Sequence, residues 1–161
     1  MTQIPEDTLP YFENGIYLPM LIRVLQKDRL TIEVSPFKLK GPYIKTVEMA
    51  VKIAQTDLKQ TNIYLLRNNM KLYKKGADKD FTEYTFANGG FEDHRRYSNV
   101  RLRNRTEELL AEYLIKGTDA IARKHSWLGN KKWTTMMPTE HVGRLRALME
   151  DYESMKGIVT A

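Results

Sequence analysis

With 161 residues, the chain has length enough for one compact domain, or for a domain with an appendage. Its composition, 42% hydrophobic and 29% charged, is that of a folding chain, and the absence of cysteine excludes a disulfide framework, thiolate catalysis and a Cys-based zinc site. The formal charge of +6 is uneven: residues 1–60 carry 8 basic and 7 acidic side chains, residues 61–135 carry 15 and 9, and residues 136–161 carry 3 and 4, so the middle holds the excess and favours an acidic or polyanionic partner.

The opening residues, Met1 to Asp7, are polar and acidic, without the basic and apolar regions of a signal peptide. No apolar run approaches the ~20 residues that cross a bilayer. A cytoplasmic protein without a membrane partner is expected. A first helix is predicted from about Leu18 to Ile32, with Pro19 in the first turn, where its missing N–H costs nothing. Leu18, Leu21, Leu25, Asp28 and Ile32 fall on one side of it. The stretch Ser35-Pro36-Phe37-Lys38-Leu39-Lys40-Gly41-Pro42 then breaks the chain.

From Pro42 to about Asn68 the spacing predicts one long helix. Ile44, Val47, Val51, Ala54, Leu58, Thr61 and Leu65 recur at alternating steps of three and four and form a seam. A seam of this kind packs on another helix, within the chain or across a dimer. The period then changes. Met70 to Lys75 and Phe81 to Phe86 read as two short strands around the turn Gly76 to Asp80, a β-hairpin over about residues 70–87 that Asn88-Gly89-Gly90 closes. A further helix is predicted from about Ser98, its N-cap, to Lys116, with Gly117 as the stop. Residues 118–138 lose the periodicity and read as a linker or docking arm. A last helix, about residues 139–157, begins after Pro138 and shows a narrow stripe of Val142, Leu145, Met149 and Tyr152.

No catalytic constellation is visible. The histidines, His94, His125 and His141, have no partner at metal-ligand spacing, so no metal is expected. Gly89-Gly90 is an isolated pair and reads as a turn; no phosphate loop or nucleophile elbow is present. Glu92-Asp93 and Glu107-Glu108 are adjacent, which on a helix points them about 100° apart and precludes a paired acid and base. No enzyme activity and no cofactor are expected.

Binding chemistry is better represented. Between His94 and Arg105 stand five arginines, Arg95, Arg96, Arg101, Arg103 and Arg105, and no acid. With Lys71, Lys74 and Lys75 of the hairpin they make a candidate surface for nucleic acid or an acidic protein. The tyrosines Tyr73, Tyr84 and Tyr97 are interleaved with them. The alternative is a solvated helix face and a hairpin kept soluble by its lysines. Farther on, Trp127, Lys132, Trp133, Met136, Met137 and His141 form a candidate docking arm, since Trp and Met are favoured anchors of protein interfaces.

Two resemblances follow. The run Lys132-Trp133-Thr134-Thr135-Met136-Met137-Pro138-Thr139-Glu140-His141-Val142, with Leu145, Leu148 and Glu150 after it, resembles the opening motif of the YolD-like family of Gram-positive bacteria, phages and mobile elements. It departs from the family by inserting Thr139 before Glu140. That resemblance implies an accessory role beside error-prone DNA polymerases. The first 115 residues resemble the small YhjD-like proteins of Bacillus, through Ile16-Tyr17-Leu18-Pro19-Met20 and Ser35-Pro36-Phe37-Lys38-Leu39-Lys40, a likeness that implies no activity.

The expected architecture is α+β and mainly α: a helical domain over residues 1–117 with an inserted hairpin, followed by an arm and a C-terminal helix. The expected function is that of a non-enzymatic accessory protein of a Gram-positive phage or mobile element, acting on a protein or nucleoprotein partner. The alternatives are a direct DNA- or RNA-binding regulator and an assembly protein that dimerises through the long helix.

Overall fold

A computed structural model describes residues 4–125 and Glu150. The chain divides into two units at Ala122, and the fold below is that of the first. The arm residues Trp127, Lys132, Trp133, Met136, Met137 and His141, and the predicted C-terminal helix apart from Glu150, lie outside the described residues.

A single 3-10 turn, Glu6–Thr8, leads into α1, Leu9–Glu33; α2 spans Gly41–Arg67, and three strands follow, β1 Met70–Ala77, β2 Phe81–Asn88 and β3 Phe91–Ser98, before α3, Asn99–His125. The class is therefore α+β, mainly α, as the sequence indicates.

Helix α1 begins nine residues before the predicted start at Leu18, with Pro10 in its first turn and Pro19 in its interior. An interior proline removes the N–H that would bond the carbonyl four residues back, here that of Gly15. Burial outweighs that loss. Phe12, Ile16, Tyr17, Leu18, Leu21 and Leu25 are all buried along the helix, and each large side chain so removed from water contributes roughly 1.5–3 kcal/mol.

Helix α2 matches its predicted span to within a residue or two. Its seam is used inside the chain: Val47, Ala54, Thr61 and Leu65 are buried, and Val47, Ala50 and Ala54 share a core cluster with Leu18, Leu21 and Leu25 of α1 and Tyr113 of α3. Tyr11 and Tyr64 stack with ring centroids 3.6 Å apart, tying the start of α1 to the end of α2.

The predicted hairpin is a three-stranded antiparallel sheet in the order β1-β2-β3. Asn88-Gly89-Gly90 does not end the sheet but turns it: Asn88 pairs with Phe91, and both glycines have positive φ, the backbone that a two-residue hairpin turn requires. On the helix-facing side of the sheet Phe86 is fully buried and stacks on Phe12 of α1 at 4.6 Å.

Helix α3 starts where expected, with the Ser98 hydroxyl accepting the N–H of Arg101 at 3.2 Å. It does not stop at Gly117 but runs on to His125. Gly117 is a packing position: a Cβ there would lie 2.8 Å from the carbonyl oxygen of Thr46 and 3.1 Å from the nitrogen of Ala50. The missing side chain lets α3 press its backbone against α2.

Candidate partner-binding site

The eight basic residues singled out in the sequence do not form one face. Strand pairing sorts the sheet residues. Lys74, Tyr84 and Arg95 lie opposite one another in the register, in the set that includes buried Phe86 and so faces the helices. Lys71 and Arg96 belong to the outer face, Arg96 directly opposite Glu83 and Lys71 in a row that ends two strands away at Glu92. Lys75 is the extra residue of a bulge in β1. The Arg96 guanidinium covers the Phe81 ring at 3.9 Å.

The arginines of α3 separate as well. Arg103 lies in an open, largely apolar cleft of about 630 Å³, beside Met20, Val24, Leu102 and Leu110. Arg101 and Arg105, one turn apart, line a different and polar cleft of about 410 Å³ with Glu13, Tyr17, Asn104 and Glu108. Arg105 bonds Glu108 at 2.8 Å and lies 3.6 Å from Glu112. Arg101 sits 5.8 Å from the Tyr97 ring centroid and beside the Tyr17 hydroxyl. Arg95, held by Asp93 at 2.8 Å, lies 5.2 Å from the Phe86 ring centroid.

Three tyrosines, Tyr17 of α1, Tyr84 of β2 and Tyr97 of β3, form the wall behind these arginines. The rings of Tyr84 and Tyr97 meet edge to face at 5.9 Å. Burial pushes all three hydroxyls above the ordinary tyrosine value; Glu13 adds to the rise at Tyr17 and Tyr97, while Arg101 opposes it at both. Protonated at neutral pH, they serve as hydrogen-bond donors and not as bases. Of the three, Tyr17 lines the polar cleft, where its phenolic O–H stands with the guanidinium N–H groups of Arg101 and Arg105, and Glu13 and Glu108 share the lining. Such a donor set suits a carboxylate or phosphate.

Elsewhere the chemistry is structural. His94 Nδ1 lies 2.9 Å from Thr85 Oγ1, and no group able to hold a metal ion occurs among the described residues. Asn99 knits the β1–β2 turn to α3, donating to the Asp78 carbonyl oxygen and accepting from the Thr82 hydroxyl. Glu13 and Tyr17 are the site residues that sequence reasoning overlooks. They come from a helix more than 80 residues upstream of Arg101, and nothing in their local spacing marks them.

A family model described as YhjD protein matches residues 3–118, all of the elements that build this cleft. A Bacillus subtilis (strain 168) protein described as "Uncharacterized protein YhjD" is 36% identical over 115 residues, 71% of this chain and 96% of that protein. The chain belongs to the YhjD family. The stretch matched to the family model ends at residue 118, so the family unit is the helical domain with its sheet. No solved structure matches the chain. No helix among the described residues is long and apolar enough to cross a membrane.

Proposed function

We propose that this YhjD-family protein is a non-enzymatic accessory protein whose α1–β3–α3 cleft binds an acidic segment of a protein or nucleoprotein partner. The observation that carries the reading is the convergence of Arg101 and Arg105 with Tyr17 in one polar cleft, beside Glu13 and Glu108. A cleft of this size takes a short acidic stretch or a single phosphate. It does not follow a nucleic-acid backbone, because the remaining basic residues diverge onto other faces and Arg95 is paired with Asp93. The YolD-like resemblance of residues 131–152 supports a polymerase- or phage-associated partner, and the arm with Trp127 and Trp133 would add a second contact.

The test is a comparative pull-down with the full chain and with Arg101→Glu plus Arg105→Glu, at two salt concentrations. The expected result is a specific partner held by the wild type and lost by the variant, with circular dichroism showing that both proteins are folded. Partner capture that survives the double substitution would remove the cleft from the account. Nuclease-sensitive capture, with affinity that falls steeply as salt rises, would replace the reading with direct nucleic-acid binding.

A further inference from the structure

The end of the helical hairpin opposite the sheet is its least water-like surface. Leu30 and Val34 at the close of α1, Phe37 and Leu39 in the connection, and Tyr43 in the first turn of α2 are 59%, 84%, 53%, 79% and 57% exposed. Large apolar side chains left in water in this number, at one end of a fold, mark an interaction surface. Their display is built in. The Ser35 hydroxyl donates to the Ile32 carbonyl oxygen at 2.6 Å, Lys40 Nζ to that of Glu33 at 2.9 Å, and the Ile44 N–H to that of Lys40 at 3.0 Å. Pro36 and Pro42 further limit the backbone. Phe37 and Tyr43 touch each other, rings 5.6 Å apart, with the remainder of their faces outward.

The charge around the tip is one-sided. Residues 27–45 contain five basic side chains and two acidic ones. Arg29 occupies one of those acids, Glu33, together with Glu48 of α2. Lys27, Lys38, Lys40 and Lys45 enter no ion pair among the described residues; against them stand Asp28 and the one negative charge left from Arg29, Glu33 and Glu48, so the collar around the apolar residues keeps a net charge of +2. Basic side chains beside protruding Phe, Leu, Val and Tyr are what an anionic lipid surface attracts: the lysines meet headgroups while the apolar side chains enter the acyl boundary.

We infer that the α1–α2 tip is a peripheral contact for an anionic bilayer surface. A second copy of the chain suits it less well, since a standard protein interface engages roughly 20–30 residues a side and a convex tip of five side chains falls far short. An acidic protein would need an apolar patch placed to match Val34 and Leu39 beside its carboxylates, whereas an anionic bilayer offers both kinds of contact everywhere on its surface. The lack of a spanning segment does not bear on such a contact, because a surface contact needs none.

The experiment is co-flotation of the full chain with vesicles of phosphatidylcholine alone and of phosphatidylcholine with phosphatidylglycerol. Binding is expected to the anionic vesicles only, weakened about tenfold or more by Val34→Ser, Phe37→Ser and Leu39→Ser together. Lys38→Glu with Lys45→Glu should weaken it as well. All five positions are exposed, and circular dichroism with melting temperature will verify that both variants fold. The inference is overturned if the wild type ignores anionic vesicles or if the apolar triple variant floats as the wild type does. It is equally overturned if the triple substitution acts instead by dissociating a dimer in sedimentation. None of these outcomes depends on the Arg101–Arg105 cleft.

Discussion

At Gly117 the side chain that is absent does the structural work. A β-carbon there would press on backbone atoms of Thr46 and Ala50, which cannot swing aside as a flexible side chain can. Gly117→Val should therefore destabilise the fold by about 2–3 kcal/mol, read as a lowered midpoint in urea with the slope unchanged. Substitution at Gly76, where an added Cβ meets nothing within 4 Å, is the natural comparison. The sequence alone marks Gly117 as a helix stop, because a glycine that ends a helix and one that lets two helices touch look alike in one dimension. Only the partner, 67 residues away at Ala50, tells them apart. The same holds for Tyr17, whose place beside Arg101 depends on an approach that no local spacing encodes.

Among the elements, α2 is the most legible and β3 the least, for physical reasons. The seam of α2 is spent on α1 and α3, so its apolar period survives in the sequence. Strand β3 reads Phe91-Glu92-Asp93-His94-Arg95-Arg96-Tyr97-Ser98, with charged residues on both faces, because its outer side meets water and its edge is unpaired among the described strands. The turn before it is the available signal: Gly-Gly is a favoured dipeptide of two-residue hairpin turns, and Gly89-Gly90 stands here between two paired strands. Sequence reasoning cuts helix α1 short, because Pro19 looks like a beginning. The upstream apolar positions Phe12 and Ile16, with Pro10 in the first turn, carried the rest of its length.

The joint between α2 and α3 also makes a prediction about pH. Tyr113 of α3 donates its hydroxyl to Asp57 of α2 at 2.6 Å, and burial, followed by that bond and the Asp57 charge, pushes its pKa well above the ordinary value of 10.0. A group whose folded pKa is raised gives its full stabilisation below the unfolded value and loses it as pH rises beyond that value. Stability should hold to near pH 10 and then fall as the unfolded tyrosines ionise. Tyr17, Tyr84 and Tyr97, raised by burial too, contribute in the same direction. Tyr113→Phe should cost about 1 kcal/mol at neutral pH and flatten the decline between about pH 10 and 12. A melting series across that range will show it, and an equally steep fall in the variant would assign the alkaline loss to other groups.

Seen as a whole, the sheet with its turns and α3, residues 70–125, carry 12 basic and 9 acidic side chains, half of the net charge of +6, and do not lay them out as one stripe. Sequence reasoning places the charge in the correct third of the chain and names Arg101 and Arg105. It does not separate them from Arg96, Arg103 and Lys71, because separation requires knowing which residues are on a strand and which on a helix. A charge run becomes a phosphate-tracking surface only if the fold aligns it. Here the fold divides it into an outer sheet face shared with Glu83 and Glu92, an apolar cleft beside Arg103, and the tyrosine-backed cleft.

The claim that this last cleft receives the partner is tested most directly by site-specific photo-crosslinking in the native host. Asn104 lines the cleft and is exposed, whereas Lys52 of α2 is exposed and not among the lining residues. A photoreactive side chain at 104 should yield a discrete protein adduct that disappears on adding Arg101→Glu and Arg105→Glu, and the same group at 52 should yield none. An adduct from 52 without one from 104, or an adduct at 104 that persists in the double variant, would contradict the account.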